Sequence, residues 1–379
     1  MKADKSNRKE EIALTKRVSA IDWIKLVLAV GVMVFHYGEV ISANYGVNCQ
    51  VLPGGSLAVE GFFLISGFLF MRSLERYEQT GAYPACPKVV FHRYLRILYW
   101  LLPAVIVDAF VVWIDVEALT FSEMVSRLPK VLFEIVPLQM AGFSAEYLTG
   151  VSWYISAMLL CVLFFYPLAR RNPRSFGREL CPIVAVVVYG ILYYNTQCLV
   201  NPSEWLFHVV RKGLLRGVAD MAVGCFLYEC IRATKEETVT VFRRIVYTAA
   251  AAACAAGCVA IMLLTHASYY DFIFVFLAFG FLYFAVGQKT VFALFLTHEW
   301  SKHIGTVSTI VFLVHYPLAR YFAVWYPPTD VWGRFGNYLL HVAASGLIVF
   351  LAGALFKGIV WYFSVFRKEK ASDIPKVEE

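Results

Sequence analysis

Apolar windows of about 20 residues recur along the chain between short polar stretches, which is the length an α-helix needs to cross hydrocarbon. Ten windows fall at 19–41, 57–74, 95–114, 149–169, 180–199, 212–231, 245–265, 269–287, 304–325 and 337–363. The pattern predicts an all-α, polytopic transmembrane helical bundle of about ten spans. An even number returns both termini to one side. Basic residues crowd the tail 1–18, the stretch from Arg72 to Arg96, RRNPRSFGR at 170–178, Arg232 to Arg244, Lys289 to Lys302, and RKEK at 367–370. The alternate loops are mostly poor in Lys and Arg, so both termini are expected in the cytoplasm. One membrane domain, 19–366, then lies between a cytoplasmic N-terminal tail, 1–18, and a cytoplasmic C-terminal tail, 367–379. No cleavable signal peptide is expected.

Two stretches depart from this scheme. Arg211, Lys212 and Arg216 stand at the outer start of the sixth window, where the charge rule disfavours them. Snorkelling to headgroups and facing a cavity or an acidic ligand are both open for them. The loop 115–148 contains FSEMVSRLPKVLFEIVPLQM, with apolar residues at helical spacing. A helix lying on the membrane or dipping into it is expected there. The AAAACAAGC run at 250–258 reads as packing surface between helices.

Composition agrees with the pattern. The 379 residues are 60% hydrophobic and 16% charged, with a mean hydropathy of +0.63. Soluble domains are nearer half apolar and a quarter charged. A net charge of +7 would point to nucleic acid in a soluble protein, but here it follows from the basic loops, and no nucleic-acid partner is expected. The nine cysteines form no CxxC pair and no zinc spacing, so they read as small core residues. Cys49 and Cys198 fall in outer loops, and whether they pair is left open by sequence.

Ionisable residues inside a span are costly, and by default they mark function. The stretch from Arg17 to Tyr37, RVSAIDWIKLVLAVGVMVFHY, carries Asp22, Lys25 and His36 along its apolar run. Lys25 and His36 are eleven positions apart, which at ~100° per residue returns to within about 20° of one helix face. Asp22 sits a turn before Lys25 on that face. The carboxylate and ammonium thus lie near the start of the span and the imidazole roughly 16 Å further along. His36 is the candidate general base toward a nucleophilic hydroxyl. In GGSLAVEGFFLISGFLF (54–70), Glu60 is placed to orient His36, to bind a substrate hydroxyl, or to sit at the interface. Ser66 and Gly67 either allow close helix packing or expose backbone to a substrate path. Arg93 and Arg96, at i and i+3, share a face suited to phosphate. Trp153 and Tyr154 fall where an aromatic belt is expected. His315 lies deep in the ninth window, two residues before Pro317.

Taken together and in this order, these segments resemble the acyltransferase type 3 family of bacterial membrane acyltransferases. Lys25 and His36 match its basic residue, ten positions, then His, with Lys where Arg is commoner. Asp22 matches the acidic position before it. Phe62, Phe63, Ser66, Gly67 and Phe68 match FF..SGF, with Glu60 where Asp is usual. Arg93 and Arg96 match R-x-x-R. Ser308, His315 and Pro317 match a Ser…His-x-Pro segment, and Arg216 with Gly224 resembles another recurrent span. Met158 departs from the Glu that many envelope O-acetyltransferases carry.

The resemblance implies transfer of an acyl group, usually acetyl, from cytoplasmic acyl-CoA to a hydroxyl of an envelope glycan, lipid or small molecule, in the inner membrane. It assigns catalytic work to His36, Lys25, Asp22 and Glu60, and CoA phosphates to Arg93 and Arg96. Ser66, Trp153, Tyr154, Arg216 and His315 fall on the substrate path. No metal and no permanently bound cofactor is expected, with acetyl-CoA or another acyl-CoA as donor substrate. The alternative is a transporter or flippase for a glycan or amino acid, in which the same polar stripe relays protons.

Overall fold

The structure, a computed structural model, describes residues 19–46, 48–143, 148–234, 239–287, 289–291, 301–325 and 331–372. Eleven helices account for almost all of it. They are α1 (Ser19–Tyr45), α2 (Ala58–Thr80), α3 (Cys86–Val116), α4 (Phe121–Ile135), α5 (Trp153–Ala169), α6 (Pro173–Thr196), α7 (Lys212–Ala233), α8 (Val241–Leu264), α9 (Tyr270–Val286), α10 (Ser301–Trp325) and α11 (Val331–Ser372). One hairpin, Trp205–Leu206 against Val210–Arg211, supplies the strand among the described residues. The all-α expectation therefore holds.

Every one of the ten windows carries a helix. Seven of these helices, α1, α2, α3, α6, α8, α10 and α11, are both long and apolar enough to cross a bilayer. Helices α5 and α9 are apolar but only 17 residues long. Helix α7 is long enough, yet it carries Lys212, Arg216, Asp220, Glu229 and Arg232. These are polar groups that only a protein-lined interior satisfies. The contacts Arg93–Ser73, Arg178–Glu229 and Lys289–Thr234 gather the basic connections at one end of the bundle, beside the start of α1.

Helix α2 is the central element, buried over 78% of its apolar window, whereas α8 and α11 are buried over 17% and present aliphatic faces outward. The close crossing of α2 and α7 explains the SGF segment. A Cβ at Gly67 would collide with the Met221 carbonyl, and a Cβ at Gly224 with the Leu64 carbonyl. Each glycine admits the other helix's backbone, which is small-residue packing. The other extensive contact is α1 on α10, tied by the Tyr45 hydroxyl to the Ala323 carbonyl.

The amphipathic segment forms α4. Thr120 and Glu123 close a reciprocal capping box at its start. Phe121, Val125, Leu128 and Leu132 make an exposed apolar stripe, which suits a helix lying in a membrane interface. On its opposite side Glu134 is fully buried. It accepts hydrogen bonds from Leu148 N (2.7 Å), Thr149 N (3.0 Å), Thr149 Oγ1 (2.7 Å) and Ser152 Oγ (2.8 Å), fastening α4 to the segment entering α5.

Two boundaries differ from the sequence expectation. Helix α3 begins at Cys86, with a proline in its first turn, so Arg93 and Arg96 stand about two turns inside it. Hydropathy misses the amphipathic turns that precede the apolar window. Helix α11 continues through 367–370, where the C-terminal tail was expected to start. The tail 1–18 and residues 373–379 lie outside the described residues. The nine cysteines are free. Cys198 and Cys49 do not pair, and the Cys198 thiol instead lies 3.5 Å from Lys212 Nζ.

Candidate active site

The polar stripe of α1 opens into two cavities. The first, of about 260 Å³, is lined by Lys25 of α1, Arg93 and Arg96 of α3, Ser66 of α2, Tyr154 and Met158 of α5, and Ser308 and Phe312 of α10. Arg93 is held by a hydrogen bond from Nη2 to Ser73 Oγ (2.8 Å), with its guanidinium 5.6 Å from the Phe70 ring. Ser66 donates to the Tyr154 hydroxyl (2.8 Å), which donates in turn to the Phe62 carbonyl (3.2 Å). Three cations around one small cavity make it a natural anion site, since guanidinium groups present several donors to phosphate. Asp22 is buried in the first turn of α1, one turn before Lys25.

The second cavity, of about 300 Å³, lies toward the other end of α1. His36, Glu39, Trp153, Arg216, Phe312 and Tyr316 line it, with the loops at 200–203 and 266–267. His36 Nδ1 is 2.9 Å from Glu39 Oε2. A carboxylate oxygen only accepts, so the proton belongs on Nδ1 and Nε2 is left bare as a base. The imidazole is further fixed by Tyr316 edge-on at 4.9 Å and by His315 stacked at 5.4 Å. Gly150, at φ +67°, lets the Tyr316 ring approach where any Cβ would collide.

A family profile described as an acyltransferase domain matches residues 18–358. The chain belongs to the acyltransferase type 3 family. No curated protein and no solved structure matches it. Family and helices together make it a multi-pass membrane acyltransferase.

The remaining expected site residues of this acyltransferase fall around the same two cavities, in arrangements that differ from expectation at several points. Glu60 does not contact His36. It is fully buried and accepts from Arg216, at 3.0 Å from Nε and also from Nη2. The orienting carboxylate of His36 is Glu39, three residues along its own helix. The spacing HYGE carries that signal, since i and i+3 share a helix face. Arg216 also lies 5.1 Å over the Trp153 ring, and Asp220, which accepts from the Tyr189 hydroxyl, lies against Glu60. Of the three cations at the start of α7, Arg216 faces the histidine cavity. Arg211 stacks on Trp205 at 4.0 Å, and Lys212 bonds Glu204 at 3.2 Å, so both secure the hairpin. Trp153 and Tyr154 are not an interfacial belt, since both line cavities inside the bundle. His315 is fully buried, with Nδ1 donating to the Val311 carbonyl (3.0 Å). Nε2 of His315 has no hydrogen-bond partner among the described residues.

A third cavity, of about 410 Å³, shares Glu39 and Tyr316 with the histidine cavity and adds Asn44 and Arg320. Arg320 donates to Glu117 Oε1 (2.8 Å), whose other oxygen accepts from Arg127 of α4 (2.6 Å). Sequence reading gave no role to Glu39, Tyr316, Arg320 or Glu117.

Proposed function

We propose that this acyltransferase moves an acyl group, acetyl in the simplest case, from acyl-CoA to a hydroxyl of an envelope glycan, lipid or small molecule. The observation that carries this reading is the pair of cavities on one helix. A cationic cavity at Lys25, Arg93 and Arg96 and a His–Glu base at the other cavity are what a polyanionic donor and a hydroxyl acceptor require. The charge rule supports a cationic end on the cytoplasmic side, where acyl-CoA is made, for a chain in the inner membrane.

The chemistry is one acyl transfer. His36 Nε2 takes the hydroxyl proton while Glu39 steadies the imidazolium through Nδ1–H. The acceptor oxygen bonds to the thioester carbonyl carbon, and negative charge builds on the carbonyl oxygen. Arg216, held by Glu60 at the cavity wall, is the nearby cation for that charge. The C–S bond then breaks, and the proton passes from His36 to the departing CoA thiolate. Lys25, Arg93 and Arg96 hold the donor's phosphates, and Asp22 sets the surroundings of Lys25.

His36→Ala tests the base. In protein that remains folded, acyl transfer from acetyl-CoA should fall by about 10²–10⁴-fold with acetyl-CoA affinity retained. Undiminished transfer would remove His36 from the mechanism. Arg93→Ala with Arg96→Ala should weaken acetyl-CoA binding by about tenfold or more, because a hydrogen bond to a charged group contributes about 1.5–3 kcal/mol. Unchanged affinity would place the donor elsewhere.

A further inference from the structure

The two cavities meet at one side chain. Among the described residues that line them, Phe312 alone is common to both. Its ring is 6% exposed and packs at 5.3 Å on Phe62 and 5.8 Å on Tyr154, which are themselves 5.8 Å apart. Three rings thus meet in a closed triangle. On α10, Ser308 and Thr309, four and three residues before Phe312, line the cationic cavity. Tyr316, four residues after it, lines the histidine cavity. One face of α10 therefore runs from one cavity to the other with Phe312 across the joint.

We propose that Phe312 is the partition that makes this acyltransferase choose its acceptor over water. The inference rests on the acyl-CoA reading above. Reacting atoms must come within about 3–3.5 Å, yet the cations stand in one cavity and His36 in the other, roughly 16 Å apart along α1. The thioester end of the donor has to pass the triangle to reach the activated hydroxyl. A phenylalanine side chain can clear such a passage by changing between staggered χ1 wells, with no movement of a helix. With the ring in place, the cationic cavity is closed to water from the loop side, so a bound thioester is kept from hydrolysis. With the donor arm inserted, the arm itself fills the opening. The bond changes are those of the transfer above. Phe312 alters only which nucleophile, acceptor hydroxyl or water, meets the carbonyl.

The test uses the full chain in right-side-out and inside-out membrane vesicles. Ser66→Cys places a thiol in the cationic cavity, and a membrane-impermeant maleimide reports access to it, measured against the same protein without that thiol. With Phe312 intact, labelling is expected from the cytoplasmic side only. Phe312→Ala should raise the rate from the loop side by about tenfold or more, equivalent to about 1.4 kcal/mol off the barrier. Phe312→Val makes the same comparison with a smaller cut, should the alanine variant fail to fold. Phe312→Trp should leave the loop side closed. Labelling from the loop side that is already fast with Phe312 present, or that is unchanged in folded Phe312→Ala and Phe312→Val, would overturn the partition. The same variants are assayed for thiol release from acetyl-CoA without acceptor, which should rise in Phe312→Ala. If labelling shifts as expected but no variant, wild type included, releases CoA thiol, the partition stands and the acyl-CoA reading falls.

Discussion

Glu39 accepts the Nδ1 hydrogen bond of His36 at 2.9 Å while lining the same cavity. In the proposed reaction it positions the base, so Glu39→Gln should lower kcat, but by less than the ~10²–10⁴-fold lost with the base itself. Acetyl-CoA affinity should be unaffected, and a kcat and KM measurement separates the two. Glu60 has a different task. With Arg216 it forms a fully buried ion pair, and removing one partner of such a pair costs about 3–5 kcal/mol because the other charge is stranded. Glu60→Ala should therefore destabilise the protein by that amount, read as thermal unfolding in detergent. The double variant Glu60→Met with Arg216→Met should recover much of that stability while transfer stays lost. At this scale helical spacing set Lys25 with His36 on one face of α1 and Arg93 with Arg96 on one face of α3, and the structure gathers Lys25, Arg93 and Arg96 around one cavity with His36 on the other. Helical spacing missed the partners. An ion pair between Glu60 and Arg216 spans 156 positions of sequence, and periodicity within one helix carries no information about which helix lies opposite.

Helix packing accounts for which elements sequence reading recovered. Every apolar window became a helix because hydrocarbon leaves the backbone no other way to satisfy its hydrogen bonds. Ends were less legible, since caps and amphipathic turns set them, as at Cys86. The central α2–α7 crossing depends on Gly67 and Gly224, each facing a carbonyl of the other helix. Gly67→Ala should force the helices apart and destabilise by about 1–3 kcal/mol, with loss of transfer because Glu60 and Arg216 ride on the same two helices. Thermal unfolding of the single variants checks this. At the loop end, Glu117 joins α3, α4 and α10 through Arg127 and Arg320. Burial alone would raise its carboxyl, but hydrogen bonds and charge from Arg320 and Arg127 outweigh it and hold it below the ordinary value of 4.5. A lowered native value means that this tie contributes fully above the unfolded-state value and is lost as pH falls through the lower native one. Wild type should keep α4 protected at pH 5 and loosen only in stronger acid, as read by hydrogen exchange over Phe121–Ile135. Glu117→Gln should show the acid behaviour at pH 7.

Across the whole molecule, the placement of the cavities has a consequence that no single residue or helix has. The cationic cavity adjoins the basic connections and the histidine cavity adjoins the loops at 200–203 and 266–267, so in the proposed reaction donor and acceptor would approach from opposite ends of the bundle. The alternation of basic and neutral loops made that polarity legible in sequence, but the meeting of the cavities at Phe312 was not, because it depends on three helices converging. If the cationic end faces the cytoplasm, transfer is vectorial: acyl-CoA is consumed on one side and the ester appears on the other. In sealed inside-out vesicles carrying envelope glycan and lipid, acyl-labelled acetyl-CoA added outside should be consumed, with label accumulating on lumenal acceptor. In right-side-out vesicles external acetyl-CoA should be inert until the membrane is permeabilised. A transporter working without acyl chemistry would leave CoA thioester intact in both preparations. An enzyme with both substrates on the cytoplasmic side would put its label on the exterior of the inside-out vesicles, where added esterase removes it. Protection of the ester from external esterase thus separates trans-bilayer transfer from both alternatives, and Lys25→Ala should lower the signal without changing which side it comes from.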